Sequence, residues 1–365
     1  MSVQNNPQKS ATRLHFLDGL RGMAILLVIF YHAYADWPTQ HPYQFQYGHY
    51  FKYGEYGVQL FFLISGFVIA MSLENSKSFG SFMYKRWIRL FPAMLIATIL
   101  IMVTAPLLNA RPGGVPKIAD IIPGLFFIKT DLLNLFFNNK LYELEISFWT
   151  LFVEVKFYIL SGLLYFLLGQ KKMIIAIVLM FLSSVVFDTV RANLPADTEA
   201  LLSNSVNNLD FRHYGWFAAG MLSYLYYISK KLFYILAALL IALLAARNLN
   251  GFLSMSMLFG SAIVLVFMMS LINPFVQKIL SNKPFMFFGF ISYPLYLIHD
   301  KAMVSMINQI HNQFTYMLGY LLPILPIIVV IIVAWLIAKF LEPITKKLIK
   351  QLLSYKLVNL RQKLD

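Results

Sequence analysis

The sequence has no cysteine in its 365 residues. That excludes disulfides, thiolate chemistry and Cys-ligated metal, and it leaves the redox compartment open. Charge is scarce as well. Only 13% of residues are Asp, Glu, Lys or Arg, too few to cover the surface of a soluble globular chain. Acidic residues are the rarer sign, 16 against 30 Lys and Arg. Met1 to Thr12 is polar and lacks the apolar core of a signal peptide. No internal repeat or low-complexity tract stands out.

Apolar residues make up 59% of the chain. Runs of transmembrane length recur from end to end, so lipid is the expected solvent. The pattern predicts an all-α, polytopic integral membrane helical bundle of about ten transmembrane helices. The spans fall near 19–37, 56–73, 90–108, 147–168, 173–190, 212–229, 232–247, 252–273, 285–306 and 319–341. Residues 1–12 read as a disordered cytoplasmic N-terminus, 13–345 as one membrane domain, and 346–365 as an amphipathic basic cytoplasmic tail.

The net charge of +14 does not point to nucleic acid, because the cations cluster between apolar runs. With the N-terminus in the cytoplasm, the inner loops hold Lys77, Lys85, Arg86, Arg89, Lys171, Lys172, Lys230, Lys231, Lys278, Lys283 and a lysine-rich tail. The outer loops hold fewer, among them Lys52, Arg111, Lys117 and Lys129. This asymmetry places both termini in the cytoplasm, where the basic loops face anionic lipid headgroups. The outer loop 38–55, with Tyr43, Phe45, Tyr47, Tyr50 and Tyr53, reads as interfacial aromatic anchoring.

Ionisable residues inside spans are costly, so each is a functional candidate. Asp18 is placed to cap the first helix, where free N–H groups meet a carboxylate. Arg21 follows, and His32 comes eleven residues later, about 16 Å along a helix and on nearly the same face. The bland alternatives are an Arg21–Asp18 ion pair and an interhelical hydrogen bond for His32. Asp36, one turn on, reads as solvated rather than as the partner of the imidazole. Glu154, two turns into the fourth span, matches the depth of His32. The two are therefore expected to meet, the carboxylate fixing the tautomer and raising the basicity of the imidazole. Lys156 points to another face and reads as a structural partner. Arg86 and Arg89 share a face at i,i+3 and suit phosphate held bidentately, against a plain reading as positive-inside charge. In the ninth span His299 lies in the outer half, and Pro294 is expected to kink the helix and free a carbonyl.

Five segments in order resemble the acyltransferase-3 family of membrane O-acyltransferases. They are Leu17–Asp18–Gly19–Leu20–Arg21–Gly22 running to His32, Phe61 to Phe67, Arg86-x-x-Arg89 with Pro92, Trp149–Thr150–Leu151 through Glu154 to Phe157–Tyr158, and Ile291–Ser292–Tyr293 through His299. Val155 and Lys156 stand where the family often has Glu or Gln. Some members carry a C-terminal extracytoplasmic esterase-like domain. The chain ends soon after the tenth span, so the product is expected to go to its acceptor directly or to a separate protein.

The resemblance implies an acyl-CoA donor, commonly acetyl-CoA, from the cytoplasm and a hydroxyl acceptor, commonly a sugar, at a bacterial cytoplasmic (inner) membrane. The roles carried over are His32 and Glu154 as catalytic, Arg21, Arg86 and Arg89 as donor-binding, and His299, Tyr293 and Trp149 as substrate-binding. An acyl intermediate on His32 stays open, as do the oxyanion donor and the oligomeric state. Partners are the donor, a carbohydrate acceptor and membrane lipids, without nucleic acid or metal. The rival reading is a proton-coupled transporter of a sugar or lipid-linked intermediate, with His and Glu as a proton relay.

Overall fold

The computed structural model describes residues 14–37, 40, 42, 44–136, 140–250, 254–314 and 319–361. The N-terminal stretch 1–12 and Tyr43 lie outside the described residues. Helices dominate and no strand occurs among the described residues. The main ones are α1 (His15–Tyr34), α2 (Gly57–Glu74), α3 (Phe79–Thr104), α4 (Trp149–Leu168), α5 (Gln170–Val190), α6 (Tyr214–Ser229), α7 (Leu232–Asn250), α8 (Met255–Ile272), α9 (Lys283–Ile298), α10 (Asp300–Gln313), α11 (Ile324–Leu336) and α12 (Glu342–Arg361).

Every expected span corresponds to a helix, but among the described residues seven are long and apolar enough to cross a bilayer. Two of the others, α6 and α9, have 16 residues each, about 24 Å against a hydrocarbon core of about 30 Å. The third is the shorter apolar stretch Leu232–Arg247. The expected span 285–306 is not one helix. It breaks at His299 between α9 and α10. Pro294 lies inside α9, so the interruption comes five residues after it. The cause is local: His299 Nδ1 binds the Tyr296 carbonyl at 2.9 Å, the group an unbroken helix would offer to the Asp300 N–H. The chain is a polytopic helical membrane protein, with large exposed apolar side chains such as Leu167, Leu179, Leu236, Leu240 and Leu265 on the outer helices.

Capping fixes several starts. Ser78 Oγ accepts from Ser81 N at α3 and Asn282 Oδ1 from Phe285 N at α9, each satisfying a free N–H of the first turn. At the other end, the π-helical turn Ile337–Leu341 joins α11 to α12. Pro343 follows it, and a proline has no N–H for the ladder.

Helix α6 is the hub. Every residue from Tyr214 to Leu225 is buried, which a helix apolar on all sides requires. It packs backbone to backbone on α2. A Cβ on Gly220 would lie 2.1 Å from the Leu63 carbonyl oxygen, and one on Gly66 2.1 Å from that of Phe217. Helices α1 and α9 meet in the same way. A Cβ on Gly22 would lie 2.0 Å from Phe285 O, and one on Gly289 2.0 Å from Asp18 O. Small residues are how helices approach closely in lipid. The glycines around Arg21 thus bring the ninth span against the first. A Gly220→Val substitution is expected to destabilise the bundle by about 1–3 kcal/mol or more, since a carbonyl cannot move aside as a side chain can. The melting temperature of the purified protein in detergent reads this, and an unchanged melt counts against the close packing.

Candidate active site

The contact of α1 with α9 brings two histidines together. His299 Nε2 lies 3.3 Å from His32 Nδ1, and the rings meet edge to face with centroids 4.7 Å apart. His299 is fully buried. Its Nδ1 faces the Tyr296 carbonyl, an acceptor only, so Nδ1 carries the proton and Nε2 accepts. His32 Nδ1 faces two acceptors, that Nε2 and the Val28 carbonyl at 2.9 Å. It therefore carries a proton. His32 Nε2 lies 3.4 Å from Asp36 Oδ2, an acceptor that favours a proton on this nitrogen too, so Nε2 is the ring position at which a proton is gained or lost.

Two carboxylates bracket that nitrogen. Asp36, expected to be solvated, sits beside His32 Nε2 and accepts from Tyr31 at 3.4 Å. Asp300, just past the helix break, is 1% exposed. Donor atoms of His32, Asp36 and Asp300 lie within 4.8 Å of one another. Both Asp300 oxygens already accept hydrogen bonds, from Trp37 Nε1 at 2.9 Å and Ser147 N at 3.2 Å.

A cavity lies on the other side of Tyr296. Arg21, Arg89, Glu154, Ser65, Tyr293 and Tyr296 line it, with Thr150 and Ser292. Tyr296 OH is 2.8 Å from Thr150 Oγ1 and donates to Ser147 O at 3.0 Å. Its ring centroid is 5.6 Å from that of His299. Tyr296 is thus the partition between the cavity and the paired imidazoles. Arg21 pairs with Asp18 at 2.7 Å, as the bland reading held, yet it also lines the cavity.

Arg86 stands where α2, α3 and α4 meet. It donates to Ser72 Oγ at 3.0 Å, and its guanidinium carbon lies 5.9 Å from the Phe82 centroid and 6.0 Å from that of Tyr158. Its Nε and Nη1 are buried without a hydrogen-bond partner. Arg86 is not among the residues that line the cavity.

The expected pairing of His32 with Glu154 is corrected by the geometry. Glu154 Oε1 accepts from Ser65 at 2.6 Å and from Tyr158, one turn along its own helix, at 2.5 Å. It belongs to the cavity wall, and the carboxylates beside His32 are Asp36 and Asp300. Matching depth on two helices did not fix which neighbour each side chain faces. Tyr293 lines the cavity and donates to Leu90 O at 3.0 Å. Trp149 packs instead on Phe62 and on His213, centroids 6.3 and 5.1 Å away. Lys156 acts as a structural partner: it binds Asp210, which also accepts from Lys129 at 2.5 Å. Sequence reasoning gave no role to Trp37 or Ser147. The signal that existed was Asp300, an acid inside an apolar run.

A second buried charge cluster ties the segment between α3 and α4 to α10. Arg111 meets Glu145 Oε1 at 2.7 Å, with side chains 3% and 0% exposed. Glu145 Oε2 accepts from Lys301 N at 2.9 Å, and Lys301 Nζ donates to Glu143 O at 3.0 Å. Burial pushes the Glu145 carboxyl above its ordinary range, and Arg111 opposes that shift.

The acyltransferase domain family, acyltransferase-3, matches residues 14–339, so the chain belongs to that family. It is 31% identical over 170 residues to nodulation protein 10 of Rhizobium leguminosarum bv. viciae, covering 42% of this chain and 45% of that protein. It is 30% identical over 180 residues to an O-acetyl transferase of Shigella phage Sf6, covering 48% of this chain and 53% of that protein. A Staphylococcus aureus (strain COL) protein carrying an O-acetyltransferase name matches at 30% over 154 residues, 39% of this chain and 23% of that protein. The chain thus spans between about a quarter and about half the length of these relatives. No solved structure matches.

Proposed function

We propose that this chain is a membrane O-acyltransferase. It takes an acyl group, acetyl in the first instance, from acyl-CoA on the cytoplasmic side and passes it to a hydroxyl of a sugar or surface-glycan precursor. The setting is a bacterial cytoplasmic membrane with both termini inside. One observation carries the reading: a cavity walled by arginine ends at Tyr296, directly behind the His32–His299 pair. Coenzyme A is polyanionic, so Arg86, Arg89 and Arg21 hold its phosphates while the narrow pantetheine arm enters the bundle. Family membership and the O-acetyltransferase names among the relatives support the same class.

In the reaction His32 Nε2 takes the proton of the acceptor hydroxyl as that oxygen attacks the thioester carbonyl carbon. The carbon–sulfur bond breaks, and the imidazolium returns the proton to the leaving thiolate. The products are an ester and free coenzyme A. Glu154, held by Ser65 and Tyr158, supplies negative charge in the cavity and balances the arginines while the donor is away.

The test is release of free thiol from acetyl-CoA by the purified protein. The chain has no cysteine, so a thiol reagent reads only coenzyme A. No release with any hydroxyl offered overturns the reading and favours a transporter. Arg86→Ala is expected to raise the KM for acetyl-CoA about tenfold or more, since one hydrogen bond to a charged group is worth about 1.5–3 kcal/mol, with kcat less affected. An unchanged KM removes Arg86 from the donor site.

A further inference from the structure

We infer that Asp300 is the positioning carboxylate of the reaction: it acts through His32, and it does so locked by Trp37. The inference rests on the acyl-transfer reading above. When His32 takes a proton, a positive charge appears on a ring whose side chain is only 12% exposed. A fixed anion at that point stabilises the imidazolium before any side chain has to move.

Asp36 and Asp300 both lie within reach of the His32 ring, and they are not equivalent. The Asp36 side chain is 34% exposed and stands at the frayed end of α1. Water screens its charge, and its partners, Tyr31 OH and His32 Nε2, both stand at the long distance of 3.4 Å. Asp300 is 1% exposed, so its field is weakly screened. Its two oxygens are pinned from two other elements, by Trp37 Nε1 and by the Ser147 N–H. These donors hold its orientation. Trp37 itself has φ +60, a left-handed backbone that a bulky residue adopts only when its surroundings enforce it. At this turn the indole donates to Asp300. The break at His299 belongs to the same device, because it turns Asp300 out of the α9 register and into this position.

Several other groups set the local charge. Tyr31 and Asp36 come from α1 and the turn after it, and Glu55 from the turn before α2. His299 comes from the α9–α10 break, Lys301 from α10, and Arg111 and Glu145 from the segment before α4. Arg111, Glu145 and Lys301 are tied to one another, so they are a fixed background against which the two aspartates can be compared.

The experiment is the pH profile of thiol release from acetyl-CoA, with glucose supplied as the hydroxyl probe, for Asp300→Asn and Asp36→Asn. Asparagine keeps the shape and still accepts the Trp37 hydrogen bond. Asp300→Asn is expected to lower kcat about tenfold to a hundredfold. It also moves the acidic limb of the kcat profile about one pH unit down, because the imidazolium has lost its buried anion. The KM for acetyl-CoA stays within about twofold. Asp36→Asn moves the limb less. A role confined to folding lowers the amount of active protein and leaves the limb in place, which overturns the inference; so does a larger shift in Asp36→Asn. If Asp300→Asn does not fold, Trp37→Phe takes its place. It frees one Asp300 oxygen, leaves a more basic carboxylate beside the imidazole, and moves the limb up; an unmoved limb overturns the inference. A wild-type protein that releases no thiol refutes the acyl-transfer reading instead, so the two failures are distinct.

Discussion

His32→Ala is expected to lower acyl transfer by about 10²–10⁴-fold, the usual worth of a positioned general base, while the protein still folds and inserts. The second half of that expectation follows from the surroundings. His32 is only partly buried, and its Nδ1 bonds within its own helix to Val28 O. Removing it leaves the α1–α9 contact standing, because that contact is made by glycine and backbone. The His299 Nε2 loses a neighbour, and water can replace it at a polar site. Donor binding is expected to persist, since Arg86 and Arg89 lie beyond the Tyr296 partition. The measurements are thiol release from acetyl-CoA and acetyl-CoA affinity on the same monodisperse sample. Wild-type turnover in the variant removes His32 from the chemistry. Loss of donor binding together with turnover shows that the residue supports the cavity instead.

The largest effect on stability is expected at Arg111 and Glu145. Each side chain is almost wholly buried. Arg111 Nη2 also donates to Leu144 O at 2.8 Å, and Glu145 accepts the Lys301 N–H. Removing one partner leaves an uncompensated buried charge, which costs about 3–5 kcal/mol. Glu145→Ala or Arg111→Ala is therefore expected to lower the melting temperature sharply or to abolish purification. The double replacement Arg111→Met with Glu145→Leu restores much of the loss, because replacing a whole buried pair by apolar side chains is often near neutral. If either single alanine variant melts like the parent, the pair is solvated rather than buried.

The fold class was legible because lipid imposes a simple rule. A backbone in hydrocarbon must satisfy its own hydrogen bonds, so apolar runs of sufficient length become helices. Helix phase and rise anticipated Arg21 and His32 on one face of α1; Arg21 lines the cavity, and His32 is not among its lining residues. Partner choice was not legible in the same way. Glu154 sits where its helix position predicts, yet it faces Ser65 on α2 and Tyr158 on its own helix, and nothing in α4 alone says which neighbour occupies that side. Asp36 looked like a solvated helix end because periodicity stops there. Its place beside His32 depends on a turn that puts Trp37 in the left-handed region. Arg111 read as an outer-loop cation, and only tertiary packing reveals it as buried. The α9 break was anticipated at Pro294 and occurs at His299, where a side chain competes for a helix carbonyl.

The shortness of α6 and α9 bears on transport as much as on packing. Helices of 16 residues, about 24 Å long, fall short of a slab of about 30 Å, and local thinning of the bilayer relieves the mismatch. His299 ends one of these short helices. A thinner bilayer at this point would bring the His32–His299 pair nearer to water, which the proposed hydroxyl acceptor requires.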